Sequence, residues 1–305
     1  MKKILYLFTI SFLGCNYSPN QPAEEFFTSG LSKDDLGDYK GAIEDYSKAL
    51  QLDPNYVMAY NNRGTAKSEQ GDQKGAIADF TKAIDIDPDY ALAYINRGLS
   101  RINLRDYRGA ITDYNKAIEI NPNSAGAFFN RGVAKNELGD YKGAVADYNK
   151  AIQVNPIHVM AYINRGVSKK EQGDHKGAIV DYTKALQIDP TEGMAYYNRG
   201  VSKDELGDYK GAIVDYSKVI QLDPIDAMAY NNRGLSRTNL RDFRGAIEDF
   251  TKAIQLDTNL AMAYSNRGLV AIVILDDKNN GCLDLLKAEE LGYFEASELI
   301  RNFCN

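Results

Sequence analysis

From about residue 23 onward the apolar positions fall into short stripes of helical period, arranged in pairs. The stretch 159–192 shows the pattern. Its first segment, from about Val159 to Glu171, carries apolar and small residues at helical spacing and stops at Gly173, a residue suited to ending a helix. Asp174 then sits where a side-chain oxygen can cap a second helix. That helix places Ala178, Tyr182 and Ala185 on one stripe at spacings of four and three, and it ends before Pro190, which cannot continue it.

The pair recurs with a fixed period. DYKGAI or a near copy begins at Asp38, Asp106, Asp140, Asp208 and Asp242, with Gln73 and His175 replacing the aromatic in two further copies. Asn-Arg-Gly begins at Asn62, Asn96, Asn130, Asn164, Asn198, Asn232 and Asn266, always 34 residues apart. Self-similarity at that period predicts an all-α solenoid, in which one unit cannot bury its apolar face alone and stacked units can. Length alone would suggest two globular domains, and the repeat overrules that expectation.

The motif Tyr162, Gly166, Ala178, Tyr182, Ala185 and Pro190 resembles the tetratricopeptide repeat, and nearly all of the chain beyond residue 22 follows it. The resemblance implies a right-handed α-solenoid of about eight helix-turn-helix units, at 23–56, 57–90, 91–124, 125–158, 159–192, 193–226, 227–260 and 261–294. A capping helix over 295–305 would follow, with Ala296, Leu299, Ile300 and Phe303 as its apolar face. Gly166 and Ala178 would let two helices approach closely, and Ala185 would admit the next unit. In the last unit the second helix is expected near Gly281 and Cys282. Folded around Gly292, the chain would bring Cys282 and Cys304 to one end of a hairpin. A disulfide there would stabilise by roughly 3 kcal/mol, with two buried thiols as the alternative.

Three departures from the family stand out. Arg and Lys, as at Arg165 and Lys169, occupy first-helix positions usually held by leucine and tyrosine, and each second helix carries an acid such as Asp181. Recurrence in every unit favours a ladder of ion pairs over a charged ligand site. Taken as exposed, each pair would contribute only about 0–1 kcal/mol. Arg105 and Arg241 replace the helix-stop glycine in two units four repeats apart, which fits an old block duplication. The last unit is degenerate.

The first residues read as an address. Lys2 and Lys3 precede an apolar run, Ile4 to Leu13, about 15 Å long as a helix and so too short to span a bilayer. Phe12-Leu13-Gly14-Cys15 resembles a bacterial lipobox. The resemblance implies a signal peptide over 1–14, cleavage before Cys15 and lipid on that cysteine; Phe12 and Leu13 depart from the usual residues. Residues 15–22, with two prolines, form a short tether. The expected location is a lipid-anchored one on the periplasmic or outer-membrane side of a bacterial envelope. The alternatives are an uncleaved or conventionally cleaved signal with a soluble secreted or periplasmic protein, and a cytosolic protein with an apolar start.

Composition narrows the chemistry. The formal net charge is −6 and no basic patch stands out, which disfavours nucleic acid. Three cysteines (Cys15, Cys282, Cys304) and two histidines (His158, His175) show no zinc-site spacing, so no metal is expected. Both histidines read as solvent-exposed loop or helix-start residues. No nucleophile motif, phosphate loop or cofactor fingerprint is present, so no enzyme activity, cofactor or small-molecule substrate is expected.

What remains is binding. In the family, first helices line the concave face, and there the row Asn62, Asn96, Asn130, Asn164, Asn198, Asn232, Asn266 offers amide donors and acceptors that match a peptide edge. The row is similar to the asparagine ladder in the repeat domain of O-linked N-acetylglucosamine transferases, though no transferase domain accompanies it. Helices packed about 8–10 Å apart would offer one Asn to roughly every third residue of an extended chain. The competing reading is that the amides bridge adjacent first helices. Met58, Leu92, Met160, Met194, Met228 and Met262 flank the row and read first as packing, while Ile95, Phe129, Ile163 and Tyr197 could add apolar contacts. The expected function is a scaffold for other proteins or extended peptides. A carbohydrate or peptidoglycan binder is the alternative.

Overall fold

The computed structural model describes residues 21–304. The expected signal segment, the lipobox-like run with Cys15 and residues 15–20 of the expected tether lie outside the described residues, while Gln21 and Pro22, read as the end of that tether, open the first helix. Within them the chain is entirely helical and contains no strand. It divides into two compact units, one ending at Pro122 and one starting at Asn123. The first holds α1 (Gln21–Asp35), α2 (Tyr39–Leu52), α3 (Val57–Glu69), α4 (Gln73–Ile86), α5 (Ala91–Asn103) and α6 (Tyr107–Ile120). The second holds α7 (Ala125–Glu137), α8 (Tyr141–Val154), α9 (Val159–Glu171), α10 (His175–Ile188), α11 (Gly193–Glu205), α12 (Tyr209–Leu222), α13 (Ala227–Asn239), α14 (Phe243–Leu256), α15 (Ala261–Leu275), α16 (Lys278–Glu290) and α17 (Glu295–Phe303). Odd-numbered helices up to α15 are first helices of a pair and even-numbered ones are second helices.

Local chemistry sets each boundary. Asp174 caps α10 by accepting from the Gly177 N–H at 2.8 Å, and Asp38, Asp72, Asp106, Asp140, Asp208 and Asp242 do the same for their helices. Second helices from α2 to α14 end on an extended Asp or Asn such as Asp189 (φ −128°, ψ 99°), a conformation that a following proline favours and that Asp257, followed by Thr258, adopts without one. Between the paired helices the chain turns through a left-handed residue: Gly173 at φ 80° and, in two repeats, Arg105 at φ 60° and Arg241 at φ 63°. Both arginines are exposed, so they gain no packing to offset the strain. Arg105→Gly and Arg241→Gly are each expected to raise stability by about 0.5–1 kcal/mol, the looser unfolded glycine offsetting part of the relief. Urea midpoints below wild type would rule this out.

Packing within each pair up to α14 follows from one small residue and one ring, and in the last pair Gly268 lies against the Gly281 backbone instead. A Cβ added to Gly166 would lie 2.6 Å from the Tyr182 ring, so only glycine lets that ring lie against the first helix. Tyr182, Ala178 and Ala185 are fully buried, and Ala185 packs in one cluster with Ala195 of the following pair. Within each unit, first helices touch the next first helix, whereas no second helix touches another among the described residues. The first-helix side of each unit is therefore its inner, closer-packed face.

The C-terminal elements differ in part from expectation. Helix α16 starts at Lys278, ahead of Gly281, because Asp277 caps it by accepting from the Asn280 N–H. Helix α17 packs on α16 and α15, but only Ala296 is fully buried. Leu299 and Ile300 are half-buried, and Phe303 is exposed rather than on a covered face. Cys282 and Cys304 are joined in a disulfide with Cα atoms 5.7 Å apart.

Candidate functional site

Two constellations recur along the repeats: a charged one between the helices and an amide row on the inner face. The charged one is a buried staple. Arg165 donates from Nε and Nη2 to the two oxygens of Asp181 on its own second helix, and from Nη1 to Asn149 on the preceding second helix. Its guanidinium lies 5.3 Å from the Tyr162 ring centroid, a cation–π platform. Lys169, one turn further along, pairs with Asp181 at 2.8 Å. The same fork joins Arg63 to Asp79, Arg97 to Asp113, Arg131 to Asp147, Arg199 to Asp215, Arg233 to Asp249 and, in the last repeat, Arg267 to Asp284.

The expectation of exposed, weakly stabilising pairs is corrected here. Asp181 is only 1% exposed, and its counterparts Asp79, Asp113, Asp147, Asp215 and Asp249 are equally enclosed. Their carboxylates sit in the seam between the paired helices while the cations keep part of their surface in water, so desolvation and pairing act more strongly than in a surface pair. In the first repeat no arginine is available, and Asp45 is held by Lys33, Lys48 and Ser29 instead. Burial pushes its carboxyl up, but those hydrogen bonds, led by the one from Lys33, outweigh it and hold the pKa at about 2.

The amide row lies on the first helices, and every one of its seven members is half-buried. In the first unit, Asn96 Nδ2 donates to Asn61 Oδ1 of the preceding repeat at 3.0 Å, and Asn61 in turn donates to Asn62. In the second unit, Asn266 donates to Asn231 and Asn231 to Asn232, while Asn232 donates to the Tyr197 hydroxyl at 2.8 Å. Asn198 donates to the Met194 carbonyl one turn back. Bridging between neighbouring first helices therefore occurs at Asn96, Asn232 and Asn266. The acceptors Asn61, Asn231 and Tyr197 were missed by sequence reasoning; the doubled Asn at 61–62 and 231–232 was the available signal.

The methionine row does not pack as first expected. Met58 is 48% exposed and Met194 51%, and Leu92, Met160 and Met262 are also exposed. Met228 is half-buried. Ile163 is fully buried and unavailable for contact; Ile95, Phe129 and Tyr197 are half-buried. His158 is likewise not a solvent-exposed residue. Its Nδ1 accepts from the Ala161 N–H to cap α9, its ring lies 4.7 Å from Phe129, and burial lowers its pKa. His175 is half-buried as the first residue of α10.

Comparison with known families gives this architecture a class. A model of the TPR repeat matches residues 35–71, 64–103 and 105–139, and models of the tetratricopeptide repeat match 125–158, 159–192, 194–226 and 227–260. The chain belongs to the tetratricopeptide repeat family. No curated protein matches it. Among solved structures it is similar to a tetratricopeptide repeat protein of Parabacteroides merdae, at 24% identity and TM-score 0.60, over 82% of this chain and 99% of that one. It is also similar to the C-terminal part of a TPR repeat-containing protein of Cytophaga hutchinsonii, at 18% identity and TM-score 0.64, over 79% and 98%. A third is YrrB, described as a TPR protein with an unusual peptide-binding site, at 23% identity and TM-score 0.54, over 60% and 95%. At these identities the likeness is one of fold.

Proposed function

We propose that this protein is a non-enzymatic scaffold that holds extended peptide segments of other proteins along the inner face of its first helices, at a bacterial envelope to which lipid on Cys15 anchors it. The observation that carries the reading is the half-buried amide row. Amides such as Asn96 and Asn266 have their Nδ2 tied to the preceding repeat, and no described residue occupies their Oδ1. Their orientation is thus set before a ligand arrives, which lowers the ordering cost of gripping a backbone N–H. Exposed methionines beside the row supply adaptable apolar contact that does not demand one partner sequence.

Changing Asn130, Asn164 and Asn198 together to Ala tests this. Asn164 meets the ring-filled seam only through the Tyr148 hydroxyl, and no helix depends on the three amides for a cap, so helicity is expected to persist. Proteins recovered with the wild-type chain from gently solubilised envelopes are expected to be absent from the variant. The same partners on both would make the row purely structural. For the anchor, Cys15→Ser is expected to move the protein from envelope to soluble fractions. Unchanged fractionation would remove the lipid from the proposal.

A further inference from the structure

The repeat at 193–226 departs from its neighbours at one end of the inner face, and the departures meet in one place. In two other repeats an aromatic at the fifth position stacks on a ring from the last position: Phe27 on Tyr56 at 4.8 Å, and Phe129 on His158 at 4.7 Å. Here the fifth position is Tyr197 and the last is Asp226. Tyr197 keeps the edge-on neighbour that Phe129 finds in Tyr148, namely Tyr216 at 5.9 Å, but no ring takes the place of His158. The repeat also starts on Gly193, where the others have Val or Ala, and carries Val219 where the others have Ala.

Gly193 and Asp226 leave room for a cavity of about 440 Å³ lined by Gly193, Met194, Tyr197, Val219, Leu222 and Met228 together with Asp223 and Asp226, while Val219, larger than the Ala it replaces, takes up part of that room. The wall is apolar apart from those two carboxylates. The Tyr197 ring is held in position by its hydroxyl, which accepts from the ladder residue Asn232. Asp223 accepts from the Ile225 N–H and Asp226 from the Ala229 N–H, and neither has an ion-pair partner among the described residues. The space is therefore shaped for a ring, walled by methionine and tyrosine that favour contact with one, and carries two carboxylates that no cation pairs among the described residues.

We infer that this cavity is an anchor pocket for an aromatic side chain of an extended peptide in which a neighbouring residue is lysine or arginine. The incoming ring takes the position His158 and Tyr56 occupy in their repeats, and the cation meets Asp223 and Asp226. The inference rests on the peptide-binding reading above, whose ladder adjoins the pocket through Asn232.

The test uses the full chain with its methionine methyls labelled with ¹³C, titrated with a short alanine–serine peptide carrying a central Phe-Lys pair. Met194 and Met228 signals are expected to shift while those of Met58, Met160 and Met262 stay. Replacing the peptide's Phe by Ala is expected to abolish the shifts, and replacing its Lys by Glu to weaken binding roughly tenfold. Asp226→Tyr supplies the ring found at Tyr56 and Tyr90, which start their helices without a side-chain cap, and is expected to weaken binding by at least about tenfold. Met194→Arg, at an exposed position the fold tolerates, is expected to do the same. Unchanged binding by both variants, shifts elsewhere, indifference to the peptide's Phe, or no binding at all would overturn the pocket. Binding lost in the triple Asn variant but kept in Asp226→Tyr would leave the ladder standing without the pocket, and the reverse would leave the pocket without the ladder.

Discussion

Asp181→Ala is expected to cost about 3–5 kcal/mol, read as a fall in the urea midpoint at unchanged slope and as faster amide exchange in α9 and α10. The carboxylate is the common acceptor of Arg165 and Lys169 and is 1% exposed. Removing it leaves two cations in the seam with no counter-charge and strands the guanidinium above Tyr162. An exposed pair would lose no more than about 1 kcal/mol, so a loss of that size would show that the seam is wetter than its burial implies. Replacing all three groups together, as Arg165→Met, Lys169→Met and Asp181→Leu, is expected to restore most of the stability, because it removes the desolvation cost along with the pairing. What such a variant should lose is register. Arg165 ties its own second helix to Asn149 of the preceding one, and apolar side chains would not distinguish correct stacking from a slipped one.

The repeated fold was legible because its determinants are local and recur. Gly166 and Tyr182, Asp174 and Gly177, and Pro190 each act within a few ångströms of their own position, and seeing them at every 34th residue multiplied a weak signal. The Arg–Asp pairing was legible for the same reason, but its burial was not. On a helical wheel Asp181 resembles any acid of a solvated face. Only the approach of α9 to α10, which Gly166 permits, encloses it. The amide row could be found but not its partners, since Asn96 reaches an acceptor, Asn61, fixed by packing between repeats rather than by spacing within one. The cavity beside Tyr197 was within reach of the sequence. Ser124 and Glu192 also lack the ring found at Tyr56, Tyr90 and His158, but only at Asp226 does that lack coincide with an aromatic fifth residue, Tyr197, and a starting glycine, Gly193; a repeat analysis attends to what recurs, and the pocket arises from what does not.

Ala185→Arg should have the larger mechanical consequence. Ala185 is fully buried where α10 meets α11, in the cluster that holds Tyr182, Leu186 and Ala195. An arginine there must either force the helices apart or bury an unpaired cation, and either route costs at least about 4 kcal/mol. In a globular domain that cost would fall on the whole molecule. In an array where each repeat contacts only its neighbours, stability is a sum of repeat and interface terms, so the loss concentrates at one seam. The unfolding curve of the variant is therefore expected to split into two transitions. Limited proteolysis under native conditions is expected to cut first near the 189–193 turn. A single transition displaced as a whole would mean that cooperativity extends across the α10–α11 seam, with the Arg–Asp staples transmitting more between repeats than nearest-neighbour coupling requires. An unshifted single transition would mean that the seam has room for the side chain, contrary to its packing.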